Sequence, residues 1–177
     1  KSLALLGDCF VNDAFSVSHR AHASTAGVAR LMPSFAGPLM DLELKALSNS
    51  LDSPKRPLTA MIGGAKISTK LDLLRNIVKL VDKMIVGGGM ANTFLFARGV
   101  SIGNSLVEKD LTNLVQTIER LATENSCEII LQNDALIATK LESGAKYKAV
   151  KLDHIPDNAM ILDAGPNSIP IFSNHIR

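Results

Sequence analysis

The sequence lacks a long uninterrupted apolar run, has few cysteines and carries little excess charge of either sign. Its most apolar long stretch, 84–97, is interrupted by Gly87, Gly88, Gly89 and Asn92. It falls short of the roughly 20 apolar residues a membrane-crossing helix needs. No secretory leader is visible at the start. These features predict no membrane partner. The two cysteines, Cys9 and Cys127, are far apart and form no C-x-x-C pair. They read as reduced thiols with no metal or redox role, which fits a cytoplasmic protein. Charged residues make up 20% of the 177 and the formal net charge is +2. A dedicated nucleic-acid binder needs a strongly basic face, so that class is excluded. A small phosphate site needs only a few placed cations and stays open. No fixed-period repeat and no low-complexity segment is found.

What is present is a chain 46% hydrophobic, enough for one sizeable core or for parts of two domains. Five short apolar runs read as strands: 3–6, 58–62, 84–86, 128–131 and 159–162. They do not alternate apolar with polar, as expected of a parallel sheet covered by helices on both faces. The first run lies at the very start, so the chain is expected to begin inside a sheet. Between the runs, apolar residues recur at helical spacing. Met40, Leu44, Leu47 and Leu51 make one stripe. Ile67, Leu71, Leu74 and Val78 make a second. Leu111, Leu114, Val115, Ile118 and Leu121 make a third, preceded by a capping-box pattern at Ser105 and Glu108. Alternating strands and helices predict an α/β fold, a Rossmann-like parallel sheet with flanking helices. Breakers at Pro33, Gly37–Pro38, Pro54 and Pro57 bracket a helix over about 39–51. That helix is either an ordinary crossover or a connector between two domains.

Two strands run into glycines, Gly63–Gly64 and Gly87–Gly89, and a third is followed by Asp163-Ala-Gly-Pro166. Ligands of open α/β sheets bind outside the carboxyl ends of strands, where glycine lets them approach the backbone. Plain turn chemistry explains any one of these turns; three on one sheet point to a site. The densest feature is Gly63-Gly-Ala-Lys-Ile-Ser-Thr-Lys70. A helix starting near Ala65 would put Lys66 and Lys70 on one face at its N-terminus, where the dipole disfavours cations. A bound anion would compensate, or the two lysines are simply solvated. The segment is not a P-loop, because its lysine comes too early. Gly87-Gly-Gly-Met-Ala-Asn92 misses the last glycine of the dinucleotide fingerprint, although Glu108 lies about 20 residues on, where that fingerprint wants an acid. A non-catalytic Rossmann-type nucleotide or dinucleotide module is therefore a rival reading. Earlier in the chain, His19, Arg20 and His22 crowd together. The Arg20 fork suits a carboxylate or phosphate, or pairs with Asp13. The histidines do not supply metal-ligand spacing, and no metal site is predicted.

Asn12-Asp-Ala-Phe15 with His19-Arg-Ala-His-Ala-Ser-Thr25 resembles the end of the N-terminal domain of the phosphoglycerate kinase family. Gly63–Leu71 looks like that family's nucleotide-phosphate loop, Val86–Phe94 like its next strand and turn, and Asp163–Pro166 like its D-x-G-P turn. The motifs stand in family order and span nearly the whole chain. The resemblance implies a two-domain kinase fold, incomplete here. Residues 1–35 would end the phosphoglycerate-binding domain, 36–57 would be an interdomain helix and linker, and 58–177 part of the nucleotide-binding domain. It implies transfer of the acyl phosphate of 1,3-bisphosphoglycerate to ADP, giving 3-phosphoglycerate and ATP in glycolysis, with Mg2+ accompanying ADP/ATP. It implies Arg20 as substrate-binding and catalytic, and Lys70 as catalytic. It further implies Gly63, Gly64, Lys66, Lys70, Gly87, Gly88 and Gly165 as nucleotide-binding, in an enzyme that is monomeric at full length. Ser16-Val-Ser18 departs from the family's usual Gly-Thr-Ala-like stretch. The family's other substrate arginines and its later glycine-rich loop have no counterpart in these residues, so the chain alone is expected to have little activity.

Overall fold

The computed structural model describes residues 1–52 and 54–176. The chain divides into two compact units, Lys1–Lys55 and Arg56–Arg177.

In the first unit the expected strand at 3–6 is instead a 3-10 turn, Ser2–Leu5. Its apolar side chains are not buried: Leu5 is 86% exposed. An apolar run alone does not separate a strand from a short turn. Strand β1 (Phe10–Asn12) pairs in parallel with β2 (Ser34–Ala36), two strands too short to leave a periodic signal. Between them lie a 3-10 turn at Phe15–Val17 and a single wide π turn at Ala23–Gly27. Helix α1 spans Pro38–Asp52. Proline at the first helical position lacks only an N–H that would be unpaired anyway. The Asp13 carboxylate accepts from the Met40 amide at 2.9 Å and so satisfies one of the helix's free donors. The α1 stripe forms as predicted, but within this unit Met40 alone of the four is buried.

In the second unit β3 (Thr59–Gly63), β4 (Lys83–Gly87) and β5 (Glu128–Ile130) form a parallel sheet in the order β3-β4-β5. Central β4 buries Met84, Ile85 and Val86, hence its unbroken apolar run. Helices α2 (Leu71–Ile77), α3 (Gly88–Ala97) and α4 (Thr112–Glu124) cover it, and Leu74, Phe94, Val115 and Ile118 pack with Met84 and Val86 in one core. Cys127 is buried there. Burial, then the charges of Asp82 and Glu128, push its thiol up and keep it unreactive. Both cysteines are free.

The run at 159–162 does form a strand, β8 (Met160–Ala164), but not in the parallel sheet. It pairs antiparallel with β6 (Asp134–Ala138), which also pairs antiparallel with β7 (Lys148–Lys151). Residue pattern carries no strand direction. The sequence reading also missed β6 and β7. Strand β7 is an edge bounded by lysines, a pattern that keeps edges from aggregating and hides them from an apolar search. Helix α5 (Ser168–Ile176) closes the unit, and Thr59 at the start of β3 donates its hydroxyl to the His175 carbonyl at 2.8 Å.

Candidate functional site

The parallel register sets Gly63 opposite Gly87, so the two glycine turns leave neighbouring strands side by side. The Met90 amide in the first turn of α3 donates to the Gly64 carbonyl at 2.9 Å. The turns are packed too closely for side chains. A methyl on Gly89 would stand 2.8 Å from the Ala65 carbonyl oxygen, and Gly88 sits at φ +65°, where only glycine is unstrained. Gly87 itself faces open space.

Beside these turns is a cleft of about 480 Å³, lined by Gly88, Gly89, Asn92, Leu106, Gln132 and Leu141, with Met160–Asp163 on the side of β8. Leu106 and Leu141 are exposed apolar residues, which suits the faces of a flat ring. Asn92 and Gln132 are buried polar residues. Asn92 donates through Nδ2 to the Leu106 carbonyl at 3.1 Å. The sequence reading met Asn92 only as the end of the glycine motif and picked out none of the other three side chains, because a cleft wall assembled from distant segments has no local pattern.

The lysine segment differs from its expected shape. No helix begins at Ala65. A 3-10 turn covers Ser68–Lys70 and α2 starts only at Leu71, so Lys66 and Lys70 do not share a helical face. Ile67, wholly buried, pins the segment to the core. The Lys70 ammonium instead folds back and donates to the Gly63 carbonyl at 2.7 Å, beside Gly64. The capping box at Ser105 and Glu108 does not form either. Ser105 Oγ accepts from the Ile161 amide at 2.8 Å. The Glu108 carboxylate accepts from the Ile67 amide at 2.5 Å, the Ser68 amide at 3.1 Å and the Ser68 hydroxyl at 2.5 Å. Burial raises its pKa, but the bonds from Ser68 and Ile67 and the nearby Lys66 charge outweigh this and hold it below the usual value. The acid that a dinucleotide fingerprint would aim at a ribose is thus committed to the lysine loop.

Gly165 follows β8 in the second sheet. A side chain there would run into the Asp134 carboxylate, which accepts from the Asn167 and Ser168 amides at 2.9 Å each. The structure therefore brings Gly63, Gly64, Lys70, Gly87 and Gly88 together, and places Gly165 against Asp134. Arg20 lies in the first unit, exposed. Its carbonyl accepts from the Thr25 hydroxyl at 2.6 Å. Asp13 caps α1 rather than pairing with it, and among the described residues Arg20 forms no salt bridge. None of the helices searched among the described residues is long and apolar enough to cross a membrane.

The family model for phosphoglycerate kinase matches residues 1–177. The chain belongs to the phosphoglycerate kinase family. It is 55% identical over 169 residues to the phosphoglycerate kinase of Chelativorans sp. (strain BNC1), covering 96% of this chain and 42% of the relative. The enzyme of Methylorubrum extorquens (strain PA1) is 53% identical over 177 residues, all of this chain and 44% of the relative. Among solved structures, phosphoglycerate kinase from Coxiella burnetii superposes with a TM-score of 0.86 at 44% identity, covering 97% of this chain and 44% of that one. The Pyrococcus horikoshii enzyme does so at 0.78 and 26% identity, covering 98% and 44%. The chain thus spans less than half the length of these relatives.

Proposed function

We propose that this chain carries part of a phosphoglycerate kinase. The whole enzyme moves the acyl phosphate of 1,3-bisphosphoglycerate reversibly to ADP, giving 3-phosphoglycerate and ATP. The observation that carries this reading is the junction of the lysine segment with the glycine turns: Lys70 on the Gly63 carbonyl, Met90 on that of Gly64, both next to a cleft with apolar walls. A nucleoside ring fits the cleft. Its phosphates would then pass over Gly63, Gly64, Gly87 and Gly88 toward Lys66 and Lys70. The Lys70 ammonium would leave a neutral carbonyl for an anionic oxygen, a stronger partner. Mg2+ enters on the nucleotide as part of the substrate. Phosphoryl transfer asks the protein mainly for positioning and for cations around the moving group. Lys70 meets that need on the nucleotide side, and Arg20, in the unit assigned to phosphoglycerate, on the other. Gly165 joins the nucleotide side through the family resemblance. Glycolysis, the cytoplasm and a monomeric full-length enzyme belong to the same reading.

Thermal unfolding of the 177-residue chain with and without MgADP tests the nucleotide half. The transition is expected to rise with MgADP by mass action, and Lys70→Ala to weaken ADP binding by roughly tenfold or more. A chain whose stability ignores MgADP counts against a nucleotide site in these residues. In a coupled assay the chain alone is expected to show little turnover, since transfer requires both substrates held in register.

A further inference from the structure

Resting on the nucleotide reading above, we infer that Glu108 is a positioning residue for the phosphate end of the site, an internal carboxylate that grips the lysine loop between its two cations. Ile67 and Ser68, whose amides it holds, lie between Lys66 and Lys70. Buried Ile67 pins the loop at one point, but the residues on either side of it have little stiffness of their own. The loop opens with two glycines, one of them at φ +150°, and leads into a helix of only seven residues. The bonds it makes internally are Thr69 Oγ1 to the Lys66 carbonyl at 3.0 Å, the Lys70 amide to the Ile67 carbonyl at 2.8 Å, and Lys70 Nζ to the Gly63 carbonyl at 2.7 Å. The last of these must break when Lys70 turns to a phosphate. Glu108 stays fixed through that exchange because its own backbone is held on both sides. Its amide donates to the hydroxyl of buried Thr93 on α3 at 3.2 Å, and its carbonyl accepts from Leu111 at 3.0 Å. It therefore ties the lysine loop to the helix whose first residues line the cleft.

Two effects of the carboxylate oppose each other. As an anion it repels phosphate and occupies amides that could bind one. As an anchor it removes the freedom that a glycine-led loop would lose on binding. The nearby Lys66 offsets part of the repulsion, and three converging donors make the anchoring the larger effect.

Calorimetric titration of the full-length protein with MgADP and, separately, adenosine decides the matter, because adenosine fills the cleft without reaching the loop. Glu108→Ala is expected to weaken MgADP by about tenfold and adenosine by less than about twofold. Glu108→Gln, which can still accept from an amide and donate to the Ser68 hydroxyl, is expected to fall between Glu108→Ala and the wild type. Should Glu108→Ala fail to fold, Ser68→Ala removes one surface donor and is expected to give a smaller loss, again confined to MgADP. Equal weakening of both ligands would make Glu108 a merely structural residue and overturn the inference. Unchanged or tighter MgADP binding would overturn it by showing the carboxylate to be a competitor. A wild-type protein that binds neither ligand would bring down the nucleotide reading, and this inference with it.

Discussion

The two units of the chain achieve order by different means. The second builds a core in which Met84, Leu74, Phe94, Val115 and Ile118 are buried together around a parallel sheet. The first buries Val28 and Met40, leaves Leu5, Leu6 and Phe35 exposed, and holds its shape largely through polar bonds. There Asp13 caps α1, Thr25 clasps the Arg20 carbonyl, and the Asn12 side chain accepts from the Ala14 amide at 3.1 Å. The difference bears on function. The nucleotide candidates sit on turns fixed by a core, whereas Arg20 sits on a segment fixed by its own hydrogen bonds.

That contrast can be broken by mutation. The largest effect belongs to Phe94→Ala, which empties a wholly buried site. It is expected to destabilise the second unit by about 3–5 kcal/mol in denaturant unfolding. Phe35→Ala in the first unit, at a 61% exposed position, is expected to stay within about 0.5 kcal/mol. Comparable losses would erase the distinction. Next comes Asp134→Ala, which strips buried acceptors from the Asn167 and Ser168 amides. A loss of about 1–3 kcal/mol is expected in the same measurement. Acid probes the same kind of contact. For Asp134, burial raises the pKa but the bonds from Ser168 and Asn167 lower it more, and Glu108 behaves likewise. A carboxyl whose folded pKa is depressed contributes stability that is present above its unfolded pKa, near 4, and lost as pH falls through the folded value. Stability of the second unit should therefore drop on acidification below about pH 4, and Asp134→Ala should flatten that drop. Among the variants that remove a contact the smallest loss is that of Asp13→Ala, which uncaps α1 at a cost of about 1 kcal/mol, read as increased amide exchange in the first turn of that helix.

What the sequence made legible follows the same division. The α/β class, the strands at 58–62, 84–86 and 128–131, the stripe of α4 and the Leu71–Leu74 part of the second stripe were readable because burial imposes a period or a run, while Ile67 lies ahead of α2. That Gly63 and Gly87 each end a strand was readable, but their pairing, and the third turn's place in a separate sheet, were not. Elements without burial were not readable: Leu3–Leu6 passed for a strand though nothing covers it, and the lysine-bounded β7 passed for loop. Glu108 shows a different limit. Its spacing from Ser105 fits a helix cap, yet its carboxylate bonds residues forty positions back, and no local window contains that partner. Leu106, Leu141 and Gln132 escaped notice for the same reason, since the cleft they line exists only once distant loops meet.

The bond between the Thr59 hydroxyl and the His175 carbonyl joins positions 116 residues apart. During synthesis at about 5–20 residues per second, β3 leaves the ribosome roughly ten seconds before that partner. Throughout that interval the Thr59 hydroxyl is without its His175 partner, and Met61 on the same strand is 62% exposed in the structure. In the second unit the strand that leads into the lysine loop is thus made well before the segment that bonds its first residue.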